Sequence, residues 1–317
     1  MYFLGIDGGG TKTCFSIIDE RGNLLTRVIK GTCHPAQIGF ENLEKLLIEG
    51  LDEIVESLNI SKEDIDYSYL GLAGFGIVKE IADNIAVIVS KVFKGMKYTL
   101  NSDVRVAIAG ALACEDGINL VAGTGSIVLA LKDEAVKRCG GWGYSVGDEG
   151  SAYWIGKKSL AVFSKESDGR LVKSHLYHIF KERLNLDKDY EIISFVNDKI
   201  KGDRGEIAKL ATLCSEAAKL GDIAAINIFN EAAYEISEMI KVLLKNYHGN
   251  EVKVSYTGGV FKSGDLILKP LRENLVGTKA NIIEPQFTPD LGACLLAYIN
   301  SGLKLNEEIK ENLKRYN

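Results

Sequence analysis

Apolar and polar positions follow two different periods along the first third of the chain. Residues 2–6 (YFLGI) and 13–18 (TCFSII) are apolar runs of strand length, and they flank the stretch DGGGTK. NLLTRVIKG adds a third strand. The period then becomes helical in FENLEKLLIEGLDEIVESL, which places Leu43, Leu46, Leu47, Leu51, Ile54 and Val55 on one face. DYSYLGLAGFG reads as a strand ending in glycines, and EIADNIAVIVSKVF as a second amphipathic helix. KYTLNSD is a strand, and VAIAGALAC a helix of small residues. The order predicts a βββαβαβ domain.

The pattern restarts at residue 117. GINLVAGTGSIVLALKD has the layout of FLGIDGGGTKTCFSIID: apolar strand, small-residue tip with a threonine, apolar strand, aspartate. This predicts an internal duplication. Residues 151–246 are mostly helical by pattern. KVSYTGGVFKSG returns to a strand with a glycine turn, and PDLGACLLAYINSG is a closing helix. A chain of 317 residues suits two domains. The predicted boundary lies near residue 115, where no proline- or serine-rich linker occurs, so a packed hinge is expected. The expected domains are 1–115 and 116–289, with the closing segment 290–317 packing back on the first.

Charge and cysteine usage narrow the partners. The net charge is −5 without a Lys/Arg cluster, which argues against nucleic acid or a membrane surface. No apolar run approaches the roughly 18 residues of a membrane span, and the N-terminus has no signal-like segment. Six scattered cysteines without a CxxC fit reduced thiols in a cytoplasmic protein.

The glycine stretches carry the chemistry. FLGIDGGGTKT is not a P-loop, because Thr11 separates Gly10 from Lys12 and a strand follows. It lacks the spacing of a dinucleotide fingerprint as well. A hairpin tip of glycines presents bare backbone N–H groups, which suits a polyphosphate. Two such hairpins, residues 7–13 and 123–126, could grip one polyphosphate through Gly8, Gly9, Gly10, Gly123 and Gly125. Thr11, Thr13, Thr124 and Ser126 add hydroxyls, and Lys12 a cation. Gly258 and Gly259 could lie against a nucleoside. Asp7 cannot face phosphate directly, but it can hold Mg²⁺, directly or through water.

These motifs, in this order, resemble the acetate and sugar kinase/Hsp70/actin superfamily. More closely, the chain is similar to the BadF/BadG/BcrA/BcrD branch that contains N-acetylglucosamine kinase. The residues that carry the resemblance are GIDGGGTKT, NSD at 101–103, VAGTGS at 121–126, GGWGYSVGDEGSAYWIG at 140–156, TGGV at 257–260 and DLGACLLA at 290–297. The implied fold is α/β, with two duplicated ribonuclease-H-like (actin-like ATPase) domains around a hinge and cleft. On its own pattern Asp103 is either a helix cap or a group at a strand's carboxyl end, where α/β ligands bind; the resemblance makes it the general base. The same resemblance assigns Asp148 to sugar hydroxyls, sets Trp142 against the sugar and brings the Gly141 backbone close to it.

Two family asparagines that touch the sugar are replaced here by Cys33 and Ile127, and His34 could substitute as a hydroxyl or acyl contact. The resemblance therefore implies an ATP-dependent, Mg²⁺-using kinase of a hydroxyl, the 6-OH by analogy, on N-acetylglucosamine. Glucosamine and N-acetylmuramic acid are close rivals, and a homodimer is a family habit. Two other classes compete. An ATPase activator of an acyl-CoA dehydratase or reductase would need cluster-ligating cysteines, and the surroundings of Cys114 and Cys139 do not match. A sugar sensor would carry an added DNA-binding domain.

Overall fold

The computed structural model describes residues 1–76, 78–249 and 251–316. The chain divides into two compact units, Met1–Glu115 with Glu284–Asn317, and Asp116–Ile283.

In the first unit β1 (Tyr2–Gly8), β2 (Thr13–Asp19) and β3 (Leu24–Lys30) form an antiparallel meander. Then β4 (Ile65–Leu72) joins β1 in parallel and β5 (Tyr98–Asn101) joins β4. The strand order is β3-β2-β1-β4-β5. The second unit repeats it. β6 (Gly117–Ala122), β7 (Ser126–Lys132) and β8 (Ala135–Gly140) form the meander, followed by β9 (Val252–Thr257) beside β6 and β10 (Ala280–Ile283) outside it. Its order, β10-β9-β6-β7-β8, is the first read from the other edge. The internal duplication predicted from two hairpins extends to whole sheets.

Helices cover both faces of the first sheet, which explains the unbroken apolar runs of β1 and β2. Leu4, Ile6, Phe15 and Ile17 pack against the helices Phe40–Leu58 and Lys79–Val92. Phe3 and Ile18 face the helices Asp103–Ala111 and Pro289–Asn300. Small residues let these layers approach closely. A Cβ on Gly50 would lie 2.3 Å from the Phe15 ring, and one on Gly5 2.3 Å from the Cys294 nitrogen. Gly292 touches the helix that begins at Asp103: a Cβ there would sit 2.2 Å from the Gly110 nitrogen.

Two local expectations differ from what is observed. β8 was not foreseen, because AVKRCG is an exposed edge strand without an apolar face. The helix expected over VAIAGALAC starts earlier, at Asp103, and ends at Ala111. Ala113 and Cys114 take left-handed backbone angles (φ +52 and +62), which stop it. Among the described residues, no helix is long and apolar enough to cross a membrane.

The close contact at Gly292 gives a stability prediction. Gly292→Val forces a branched side chain into backbone atoms and should destabilise the protein by about 3 kcal/mol. Thermal unfolding should show a fall of more than 5 °C. An unchanged midpoint would mean that the two helices are not locked together there.

Candidate functional site

In the first unit the site is built where β1 ends. Asp7 is the last residue but one of β1, opposite Cys14 on β2 and Gly71 on β4. Gly8 follows it into a space with no room for a side chain: a Cβ would meet the Cys33 sulfur at 2.5 Å. The turn closes through the Gly9 N–H, which donates to the Lys12 carbonyl at 2.9 Å. Residues 31–33 run beneath it. The Gly9 carbonyl accepts the Cys33 N–H (3.3 Å) and the Thr32 hydroxyl (3.2 Å). Gly9, Gly10, Thr11 and Lys12 are left at the tip, with Gly10, Thr11 and Lys12 exposed. Thr13 is different. It is buried, and its hydroxyl donates to the Gly31 carbonyl at 2.8 Å, so that donor is committed to the fold.

Three carboxylates converge on this strand end. Asp290, in the first turn of the helix Pro289–Asn300, is 4% exposed. Gly5 and Ser16, paired neighbours on β1 and β2, let it in. It receives the Ser16 hydroxyl at 2.5 Å and lies 2.9 Å from Arg27 Nη2. Burial, then the charges of Asp290 and Asp103, push Asp7 up to about 7, with Lys12 opposing. Asp103 opens its helix, and its Oδ1 accepts the Val104 N–H at 2.9 Å. Burial raises its pKa as well, against backbone N–H bonds and His34. Thus His34 is electrostatically coupled to Asp103. Its Nδ1 accepts the Ala36 N–H at 3.2 Å, which puts the proton of the neutral ring on Nε2. The thiol of Cys33 is buried and pushed up to about 11 by that burial.

In the second unit the loops after β6 and β9 meet. A Cβ on Gly258 (φ +111) would lie 2.3 Å from the Ala122 carbonyl, so only glycine permits this approach. Gly123, Thr124 and Gly259 line a cavity of about 760 Å³. Its walls include Ile155, Phe229 and Val260, with Thr212 and Ser215 as hydroxyls. Lys209, Glu216, Lys219 and Lys262 line it as well, and a concave, partly apolar wall set with polar and charged groups suits a small-molecule site at this volume.

Gly125 lies on the other side of the loop, against Asp148. A Cβ on Gly125 would be 2.7 Å from Asp148 Oδ2. Asp148 is 3% exposed and holds a left-handed backbone (φ +63). Its Oδ1 accepts the Gly143 N–H at 3.1 Å, and its Oδ2 accepts Arg204 Nη2 at 2.8 Å. Ser126 is buried, and its hydroxyl donates to the Glu149 carbonyl at 2.7 Å. It ties the 123–126 loop to the 140–150 loop, so its proton is already used. Gly141 packs on Ile127, and Trp142 is 67% exposed beside Arg138.

The expected residues thus form two groups, one in each unit. Asp7, Gly8–Thr13, His34 and Asp103 belong to the first unit. Gly123–Ser126, Gly141, Trp142, Asp148, Gly258 and Gly259 belong to the second. Three charged residues were missed. Asp290 reads in sequence as an ordinary first-turn acid, and Arg27 as a polar position on an edge strand. Arg204 reads as a solvated helix start.

Two copies of one five-stranded sheet, each with a glycine-tipped hairpin between its first two strands, define the actin-like ATPase fold. The chain belongs to the BadF/BadG/BcrA/BcrD ATPase family, whose pattern matches residues 4–297. It is 29% identical over 311 residues to the N-acetyl-D-glucosamine kinase of Dictyostelium discoideum, covering 93% of this chain and 97% of that one. It is 30% identical over 308 residues to the N-acetylmuramic acid/N-acetylglucosamine kinase of Clostridium acetobutylicum, covering 93% and 98%. Among solved structures, the hexokinase of Thermus thermophilus is similar in fold, with a TM-score of 0.61 at 17% identity over 95% of this chain and 99% of that one.

The raised pKa of Asp7 has a consequence for stability. Below pH 4 both folded and unfolded forms carry its proton, and it contributes nothing. Between pH 4 and 7 the unfolded form ionises first, so the folded state loses stability, by up to about 4 kcal/mol above pH 7. In metal-free buffer, Asp7→Asn should therefore be more stable than wild type at pH 8, with the gap closing towards pH 4. Urea unfolding at the two pH values checks this, and an equal gap at both would contradict it.

Proposed function

We propose that the protein is an ATP-dependent amino-sugar kinase that phosphorylates a sugar hydroxyl, the 6-OH of N-acetylglucosamine or a close relative. The observation that carries this reading is the coupled cluster at the end of β1. A raised-pKa aspartate, Asp103, stands at a strand's carboxyl end in the same unit as a glycine hairpin and a half-buried acid, Asp7. Kinase relatives covering nearly the whole chain support the reaction class.

The hydroxyl oxygen attacks the terminal phosphorus of ATP. A new O–P bond forms as the bond to the β-phosphate oxygen breaks, and the leaving electron pair stays on ADP. The hydroxyl proton passes to Asp103, whose pKa burial raises, making it a stronger base than an ordinary carboxylate. Gly10 offers its backbone N–H to a phosphate oxygen, and Lys12 a charge, while the Gly9 N–H holds the turn closed. The adenosine occupies the 760 Å³ cavity, with Gly123 and Thr124 at its phosphate end and Gly125 just beyond. Asp148 accepts sugar hydroxyls, Trp142 covers a sugar face, and the Nε2–H of His34 donates to a hydroxyl or acyl oxygen.

Asp7 fits Mg²⁺. Its carboxylate is buried among acids with only Lys12 in opposition, and a divalent cation would offset that charge. Among the described residues no three His, Cys, Asp or Glu side chains form a metal cage. Mg²⁺ does not need one, since it takes one or two carboxylates with phosphates and water. When bound, it supplies neutralisation of phosphate charge.

Wild type should release ADP from Mg-ATP when given one sugar of a panel of N-acetylglucosamine, glucosamine, N-acetylmannosamine, N-acetylmuramic acid and glucose. Asp103→Asn should lower kcat by 10²-fold or more, about the usual contribution of a general base, with little change in the KM for ATP. Equal turnover in the variant would remove Asp103 as the base. No turnover with any sugar would overturn the kinase reading for this panel.

A further inference from the structure

Arg204 is the first residue of the helix Arg204–Lys219. Its guanidinium reaches back 56 positions in sequence to Asp148, and it lies directly on the backbone of Gly125. A Cβ on Gly125 would be 2.2 Å from Arg204 Nη2. One face of the guanidinium lies over the Tyr144 ring at 5.5 Å. A guanidinium has five N–H donors. Here Nη2 serves Asp148, while the Nε–H is buried without a partner. Burying such a donor unpaired is unfavourable, more so when it carries charge. The next residue, Gly205, lines the 760 Å³ cavity together with Gly123 and Thr124. A cation with unspent donors therefore sits between the phosphate end of the cavity and the carboxylate proposed to bind sugar.

We propose that Arg204 is a catalytic residue that binds the terminal phosphate of ATP at the 123–126 loop, and that Asp148, its partner at 2.8 Å, is its alternative to that phosphate. This rests on the kinase reading of those loops. Planar, forked N–H groups match phosphate oxygens in pairs. As the phosphoryl group moves, its charge spreads over its equatorial oxygens, where a fixed arginine is effective. Because Asp148 is the same arginine's alternative partner, a sugar that engages Asp148 would release the guanidinium towards the phosphate. Nucleotide and sugar binding would then favour each other.

The test compares wild type, Arg204→Met and Arg204→Lys. Affinities for Mg-ATP and Mg-ADP are measured by titration calorimetry without sugar, and kcat and sugar KM with the sugar panel. We expect Arg204→Met to weaken ATP about tenfold and leave ADP within twofold. Its kcat should fall about 10²- to 10³-fold, the loss seen when one transition-state donor is removed. Arg204→Lys keeps the charge without the fork and should fall between. If Arg204→Met fails to fold, the ATP-to-ADP affinity ratio of Arg204→Lys carries the comparison. Unchanged nucleotide affinities with the loss confined to sugar KM would overturn the proposal and leave Arg204 as a support for Asp148. Wild type that binds ATP but turns over no sugar fails the kinase reading alone, and the affinity ratio still decides the arginine. Wild type that binds neither nucleotide overturns both.

Discussion

The carboxylate of Asp7 is held in a place that disfavours its charge. It stands at the end of a strand buried on both faces, with two further acids bearing on it and only Lys12 to oppose them. Much of the first unit is arranged to create that position. Gly5 and Ser16 lower the sheet surface so that the helix Pro289–Asn300 can press onto it, which brings Asp290 to the strand end. The same helix packs closely on the one that begins at Asp103, so Asp103 and Asp7 share one support. Burial raises the pKa of Asp103, while burial and the neighbouring negative charges raise that of Asp7 and make its surroundings welcoming to a cation.

The second unit uses the same sheet for a different purpose. Its hairpin tip has the shape of the first but no acid where Asp7 stands: Asp7 lies on β1 just before the turn, whereas the last two residues of β6 are Val121 and Ala122. The charge is supplied instead by side chains from later elements, Asp148 and Arg204, which converge on Gly125. A duplicated scaffold thus carries a carboxylate cluster in one copy, and in the other a partly apolar cavity bordered by an ion pair.

Much of this was legible in the sequence, for physical reasons. Buried strands and amphipathic helices leave their periods in the chain, and glycine tips mark turns where a Cβ cannot fit. Gly258 shows this directly, since a Cβ there would lie 2.3 Å from the Ala122 carbonyl oxygen. What escaped has causes of the same kind. β8 is an exposed edge and carries no apolar alternation. Thr13 and Ser126 looked like phosphate donors because a hydroxyl at a glycine tip usually points outwards, yet both are buried and bonded to carbonyls. The pairing of Arg204 with Asp148 spans 56 residues, and no local spacing announces it.

At the end of β1, Asp7 is a carboxylate whose charge its surroundings disfavour. Carboxyl-carbon NMR of the ¹³C-labelled protein, titrated with and without Mg²⁺ and a non-hydrolysable ATP analogue, measures this at the atom concerned. Asp7 should titrate near pH 7 in the free protein and fall below about 4 when the metal–nucleotide pair brings positive charge to it. An Asp7 resonance that titrates at the same pH in both samples would contradict it.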